Sequence, residues 1–194
     1  ARESYINKLL TFVDTTLFRD YKVVVNSGNG AAGPTFDCLR NKLSDLSCPL
    51  IFEHMFSEPD GNFPNGIPNP MNSENQMPTR VKVLELSADL GVAFDGDFDR
   101  CFICDEEGNF IEGEYIVALL SEIFLKREAG ATIVHDPRVF WAIQEVVRRN
   151  GGTFVQSMTG HAFFKEKIRK SNAIYGGEMS AHHYFRDFCF CDSG

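Results

Sequence analysis

No apolar run in this chain reaches the roughly 20 residues a membrane-spanning helix needs, so no membrane span is predicted. Cysteine is scarce: six among 194 residues are too few for a disulfide framework. Cys101 and Cys104 form a C-x-x-C, and Cys189 and Cys191 a C-x-C. Both are a poor match to zinc-site spacing and both lie in apolar, strand-like segments. Ordinary reduced thiols and a cytoplasmic protein are the expectation. Basic residues are outnumbered, 19 Lys and Arg against 27 Asp and Glu, for a formal charge of −8. That balance argues against non-specific binding to nucleic acid or to an anionic membrane. Low-complexity tracts and strong repeats are absent. The opening Ala1-Arg2-Glu3-Ser4-Tyr5 is charged and unlike a signal peptide. Lacking an initiator Met, the chain is expected to begin inside a longer protein.

What is present is the pattern of an α/β protein. Ile6, Leu9, Leu10, Val13 and Leu17 recur at helical spacing and predict an opening amphipathic helix. Lys22 to Asn26 is a β-branched run that reads as a buried strand. Ser27 to Gly33 is a glycine loop, with Pro34 suited to the first position of a following helix. A second strand is expected at Leu50 to Glu53. Glu58 to Pro70 is a loop too long to be a mere connector. A helix from about Ser73 to Leu86 precedes a strand at Leu90 to Phe94, and Arg100 to Cys104 reads as another strand. The turn at 105–109 is the expected domain boundary, giving domains 1–109 and 110–194. After it come a helix at Glu114 to Arg127, a strand at Thr132 to His135 and a helix at Val139 to Arg149. A strand at Thr153 to Gln156, a helix at Ala162 to Lys170 and a strand near Ala173 to Tyr175 complete the series. Alternating strands and helices predict two consecutive α/β domains with mixed, largely parallel sheets.

The run Asp95-Gly96-Asp97-Phe98-Asp99-Arg100 carries the most chemistry. It places three carboxylates at alternate positions just beyond an apolar strand, where they repel one another unless a cation neutralises them. A hard divalent ion with oxygen ligands fits, Mg²⁺ first. Arg100 adds a permanent positive charge suited to phosphate. An EF-hand reading also aligns Asp95, Asp97, Asp99 and Glu106, but it requires glycine where Arg100 stands, and helices where strands are predicted. A haloacid-dehalogenase-type phosphatase also uses D-x-D after a strand. Gly28-Asn29-Gly30-Ala31-Ala32-Gly33, with Glu53 beyond it, copies the dinucleotide fingerprint and keeps a nicotinamide-dependent oxidoreductase in view.

Two further loops hold polar groups. Glu178 and Ser180 are suited to gripping sugar hydroxyls, with His182 and His183 following. Thr159-Gly160-His161, ahead of Lys165, is placed at a helix N-terminus, where N–H groups attract anions; Thr159 or His161 serving only as a cap is the alternative.

Taken together, the segments at 22–33, 58–70, 89–100, 159–161 and 176–188 resemble the α-D-phosphohexomutase family, nearest its bacterial phosphomannomutase members. The resemblance implies the second and third of four domains, the third cut short at Gly194. The phosphorylatable serine of the first domain and the phosphate loop of the fourth then lie outside this chain. It implies Mg²⁺ on Asp95, Asp97 and Asp99. It also implies a hexose phosphate substrate held by Glu178, Ser180, Arg138, Thr159, Gly160 and Lys165, with Arg100, His161 and His182 taking part in catalysis. The implied reaction interconverts mannose 6-phosphate and mannose 1-phosphate, for GDP-mannose supply, through a phosphoserine and a hexose 1,6-bisphosphate. Glucose phosphate is an alternative substrate, and the chain alone is expected to be inactive. Phe98 and Ala181 each stand where the family commonly has glycine.

Overall fold

The computed structural model describes all 194 residues, Ala1–Gly194. They form two compact units: residues 1–98 with 102–110, and residues 99–101 with 111–194.

In the first unit α1 (Arg2–Leu10) is followed by β1 (Lys22–Asn26), α2 (Ala32–Asp45), β2 (Ile51–Met55), α3 (Ser73–Leu86), β3 (Leu90–Phe94) and β4 (Cys101–Cys104, whose first residue clusters with the second unit). The sheet order is β2-β1-β3-β4, with β1 parallel to both β2 and β3. Val23, Val24 and Val25 of β1 are all buried, as a strand covered on both faces requires. Val24 joins Val83, Ala88 and Cys104 in one apolar cluster. Val24 and Val83 each contribute roughly 1.5–3 kcal/mol by leaving water. Because β1 and β3 are parallel neighbours, with Asn26 opposite Ala93, the loops that follow them leave the same sheet edge. The glycine loop and the acidic loop are thereby brought together.

The second unit contains α4 (Gly113–Arg127), β5 (Thr132–His135), α5 (Trp141–Arg149), β6 (Thr153–Gln156), α6 (His161–Lys170), β7 (Tyr175–Gly177), β8 (His183–Phe185) and β9 (Cys191–Asp192). Its sheet runs β6-β5-β7-β8-β9, parallel across the first three strands and antiparallel beyond. Val117, Ile133, Val139, Ile143, Val147 and Tyr175 are fully buried in its core. The three parallel strands all end at one edge. That edge carries residues 157–160, 136–138 and 178–182, the position where open α/β sheets place their ligands.

Several elements depart from the sequence reading. The opening helix ends at Leu10. Asp14 accepts a hydrogen bond from the Thr16 N–H (3.0 Å) and caps a separate 3₁₀ turn at Thr15–Leu17, so Val13 and Leu17 are exposed. α2 begins at Ala32, so Pro34 falls third, not first; its missing N–H is still harmless there, because first-turn donors have no partner within the helix. α5 starts at Trp141, after a turn in which the Val139 N–H donates to the Asp136 carbonyl (3.4 Å). β7 starts at Tyr175, because the Ala173 N–H instead closes the end of α6 on the Ile168 carbonyl (3.0 Å). Cys189 lies outside any strand, exposed and left-handed (φ 57°). Cys101 and Cys104 do lie in β4, and burial pushes their thiols up to about 12 and about 11, so both stay protonated and inert.

Candidate active site

The glycine loop is occupied by the protein itself. A Cβ on Gly33 would stand 1.7 Å from the Ser57 carbonyl oxygen, and one on Gly30 would stand 2.6 Å from the Gly96 oxygen. The N–H of Gly28 donates to Asn26 Oδ1 (2.9 Å), that of Asn29 to the Phe56 carbonyl (2.8 Å), and that of Ala31 to the Gly96 carbonyl (3.0 Å). Glycine here permits backbone to pack on backbone, and the N–H groups of Gly28, Asn29 and Ala31 are already used. The dinucleotide reading therefore fails at this loop, which serves as a seat for the acidic loop. Ser27, His54 and Asp37 form a hydrogen-bonded chain (2.8 Å and 3.1 Å) in the order of a nucleophilic triad. Ser27 is fully buried, so the chain ties the glycine loop to β2 and α2 and offers no accessible nucleophile.

Along the acidic loop, one carboxylate oxygen each from Asp95, Asp97 and Asp99 lies within 4.8 Å of the others. Asp95 is fully buried, Asp97 is exposed and Asp99 is half-buried. Three anionic oxygens this close match the all-oxygen shell of Mg²⁺ after a small contraction. Phe98 lies between two of them with φ 68°, which a side chain disfavours; its ring packs edge-on against Phe94, centroids 4.8 Å apart.

In the second unit most of the remaining predicted residues converge. Asp99 Oδ1 lies 3.5 Å from His182 Nε2, and Asp99 Oδ2 lies 3.7 Å from His161 Nε2. The two Nε2 atoms are 3.1 Å apart. Arg100 pairs as a β-bridge with His182, and its Nε is 3.7 Å from Asp99. His182 Nδ1 is hydrogen-bonded to Ser180 Oγ (2.7 Å). Burial lowers the His182 pKa from its ordinary value, against the pull of Asp99 and Glu178.

Glu178 is 1% exposed. Its Oε1 accepts from the Gly160 N–H (3.1 Å) and its Oε2 from the Tyr184 hydroxyl (2.8 Å). Gly160 is the N-cap of α6 and no side chain caps that helix, so Thr159, which is exposed, does not do so. Lys165 is not a free cation: its Nζ is 3.0 Å from Asp192 Oδ1. Arg138 pairs with the fully buried Asp136 (2.7 Å), and this contact raises the guanidinium pKa further.

Sequence reasoning assigned no role to Asp136, Tyr184 or Asp192. Asp136 accepts from the Arg138 N–H (2.7 Å), the Arg138 guanidinium (2.7 Å) and the Met179 N–H (3.1 Å). Its position directly after a strand is the signal that could have found it. Asp192 Oδ2 lies 2.7 Å from His161 Nδ1, a close contact without the alignment of a hydrogen bond. Nothing in its local sequence marks it.

Two successive α/β units with polar loops at the C-terminal ends of parallel strands define a ligand-handling α/β protein. Family comparison narrows the class. Residues 3–108 match the model for phosphoglucomutase/phosphomannomutase alpha/beta/alpha domain II, and residues 112–194 match that for domain III. The chain belongs to the phosphoglucomutase/phosphomannomutase family. It is 56% identical over 193 residues to a phosphomannomutase of Salmonella montevideo, covering all of this chain and 42% of that protein. A phosphoglucomutase/phosphomannomutase family protein from Burkholderia thailandensis superposes with a TM-score of 0.89 at 33% identity, over 99% of this chain and 40% of the other. The Aspergillus fumigatus N-acetylphosphoglucosamine mutase, solved with GlcNAc-6P and magnesium, shares the fold (TM-score 0.70, 16% identity, 95% and 41% covered). The chain thus spans less than half the length of the relatives it matches.

Proposed function

We propose that residues 1–109 and 110–194 are the second and third domains of a phosphohexomutase that interconverts mannose 6-phosphate and mannose 1-phosphate. The observation that carries the reading is the carboxylate trio at 95, 97 and 99, gathered within 4.8 Å, in a chain 56% identical to a phosphomannomutase. Asp95, Asp97 and Asp99 would hold Mg²⁺, which when bound withdraws charge from a phosphoryl group in transfer. The phosphoryl donor is a phosphoserine contributed from elsewhere in the whole protein. Arg100 neutralises the phosphate beside Asp99. Glu178, fixed by Gly160 and Tyr184, keeps a second lone pair on each oxygen for sugar hydroxyls, and Ser180 adds a hydroxyl beside it. Hydroxyl contacts suit a substrate that must be held in either of two orientations, because the bisphosphorylated sugar returns its other phosphate to the donor. Arg138, Thr159 and Gly160, at the strand edge of the second unit, and Lys165, further along α6, would also contact the substrate. His161 and His182 are the imidazoles available to move the hydroxyl proton.

A coupled assay tests the reading. The full-length protein should convert mannose 1-phosphate without releasing inorganic phosphate, and Asp97→Ala should remove nearly all turnover. Full turnover by residues 1–194 alone would overturn the division of labour, and release of phosphate would favour a phosphatase. Equal turnover of glucose 1-phosphate would make the enzyme a dual-specificity mutase.

A further inference from the structure

We propose that Asp99, His161 and His182 form a second metal site, distinct in chemistry from the aspartate trio, that takes up a nitrogen-preferring transition ion such as Zn²⁺. The three residues each offer a ligand atom within 4.8 Å of the others. Tetrahedral Zn²⁺ with Zn–N bonds of about 2.0–2.1 Å holds its imidazole nitrogens roughly 3.3 Å apart; His161 Nε2 and His182 Nε2 are already 3.1 Å apart. The Asp99 oxygens lie at 3.5 Å and 3.7 Å from these nitrogens, so a small closure brings one into bonding range of the same ion.

The outward nitrogen of each ring faces an oxygen. Ser180 Oγ meets His182 Nδ1 at 2.7 Å, and Asp192 Oδ2 meets His161 Nδ1 at 2.7 Å. The Ser180 hydrogen bond turns the His182 Nε2 lone pair toward the ion and raises its basicity. The His161 side chain is 42% exposed, so the site opens to solvent and leaves a fourth position for water or a phosphate oxygen. Two imidazoles and one carboxylate suit Zn²⁺, while Mg²⁺ prefers oxygen and six ligands. One Asp99 oxygen suffices for this ion and the other stays available to the trio, so both sites can fill together; a filled histidine site takes both imidazoles from substrate. Zn²⁺ is then an inhibitor of the proposed reaction at the second unit, although the site itself does not depend on that reading.

The probe is Co²⁺, titrated into the 194-residue chain carrying Cys189→Ser and Cys191→Ser, in excess Mg²⁺. The expected result is one ion per chain, with the intense visible absorption of four-coordinate Co²⁺, displaced by Zn²⁺ and unaffected by Mg²⁺. His161→Gln and His182→Gln should each weaken uptake at least about tenfold, with circular dichroism reporting the fold intact. Asp97→Asn should leave uptake unchanged while abolishing Mg²⁺ binding; loss of only the second result would sink the magnesium reading and spare this one. Unchanged Co²⁺ uptake in the double histidine variant, displacement by Mg²⁺, or no uptake would overturn the proposal. Should the histidine variants misfold, X-ray absorption at the zinc edge of the parent chain decides: scattering from two imidazoles supports the site, and an all-oxygen shell rejects it.

Discussion

The Tyr184 hydroxyl donates to Glu178 Oε2 across 2.8 Å, inside a pocket where both residues are almost fully buried. Burial and this contact both raise the phenol pKa, so Tyr184 stays a donor at all ordinary pH. Tyr184→Phe would leave a buried carboxylate short of a partner. The expected cost is about 2 kcal/mol of stability, read from urea unfolding, with weaker hexose phosphate binding in the whole protein. An unchanged midpoint would mean that water replaces the hydroxyl without loss.

Gly33→Ala should be the most damaging methyl that can be added to the first unit. The new carbon would meet the Ser57 carbonyl at 1.7 Å, backbone that has no side chain to swing aside. We expect about 3 kcal/mol of destabilisation. Gly30→Ala presses on Gly96 at 2.6 Å and so displaces the acidic loop. Its expected signature is Mg²⁺ affinity lower by about tenfold, measured by calorimetry.

Phe98 and Ala181 both adopt left-handed backbone, φ 68° and 67°. They respond differently to glycine. Ala181→Gly loses one buried methyl and relieves the strained backbone, so stability should stay within about 1 kcal/mol of the parent or rise. Phe98→Gly relieves the same strain but forfeits the ring contact with Phe94, and should cost about 1 kcal/mol. Thermal unfolding of the two variants side by side tests the contrast.

Burial lowers the pKa of His54, despite the opposing pull of Asp37. Above pH of about 6.5 the imidazole is neutral folded and unfolded, and its contribution is fully present. As pH falls below that value, the unfolded chain takes up a proton that the folded chain resists, so stability declines until the folded pKa is passed. His54→Gln keeps partners for Ser27 and Asp37 without titrating. The stability difference between parent and variant should therefore shrink or reverse on acidification between pH 7 and pH 5; parallel curves would count against a neutral buried His54.

The architecture was readable because both sheets announce themselves. Val23 to Val25 and Thr132 to His135 are apolar runs too short for helices, and helical periodicity between strands forces parallel neighbours. The acidic loop was readable for a different reason, since three like charges on one short loop need a partner. What escaped were relationships carried by distance in space. Asp192 reaches His161 from beyond the last loop, and Tyr184 looks like an ordinary strand residue until its hydroxyl is seen on Glu178. The glycine loop misled because close backbone approach and pyrophosphate binding demand the same residue. Val13 and Leu17 misled because an apolar spacing continued past Leu10, where the helix ends, and into a separate turn capped by Asp14.

Asp136 grips Arg138 by backbone and guanidinium, and Met179 by backbone. It rivets two loops that are more than forty positions apart in sequence. Anyone grafting a relative's 176–183 segment to retune substrate choice must therefore transplant 135–138 with it, or the imported loop will arrive without its anchor.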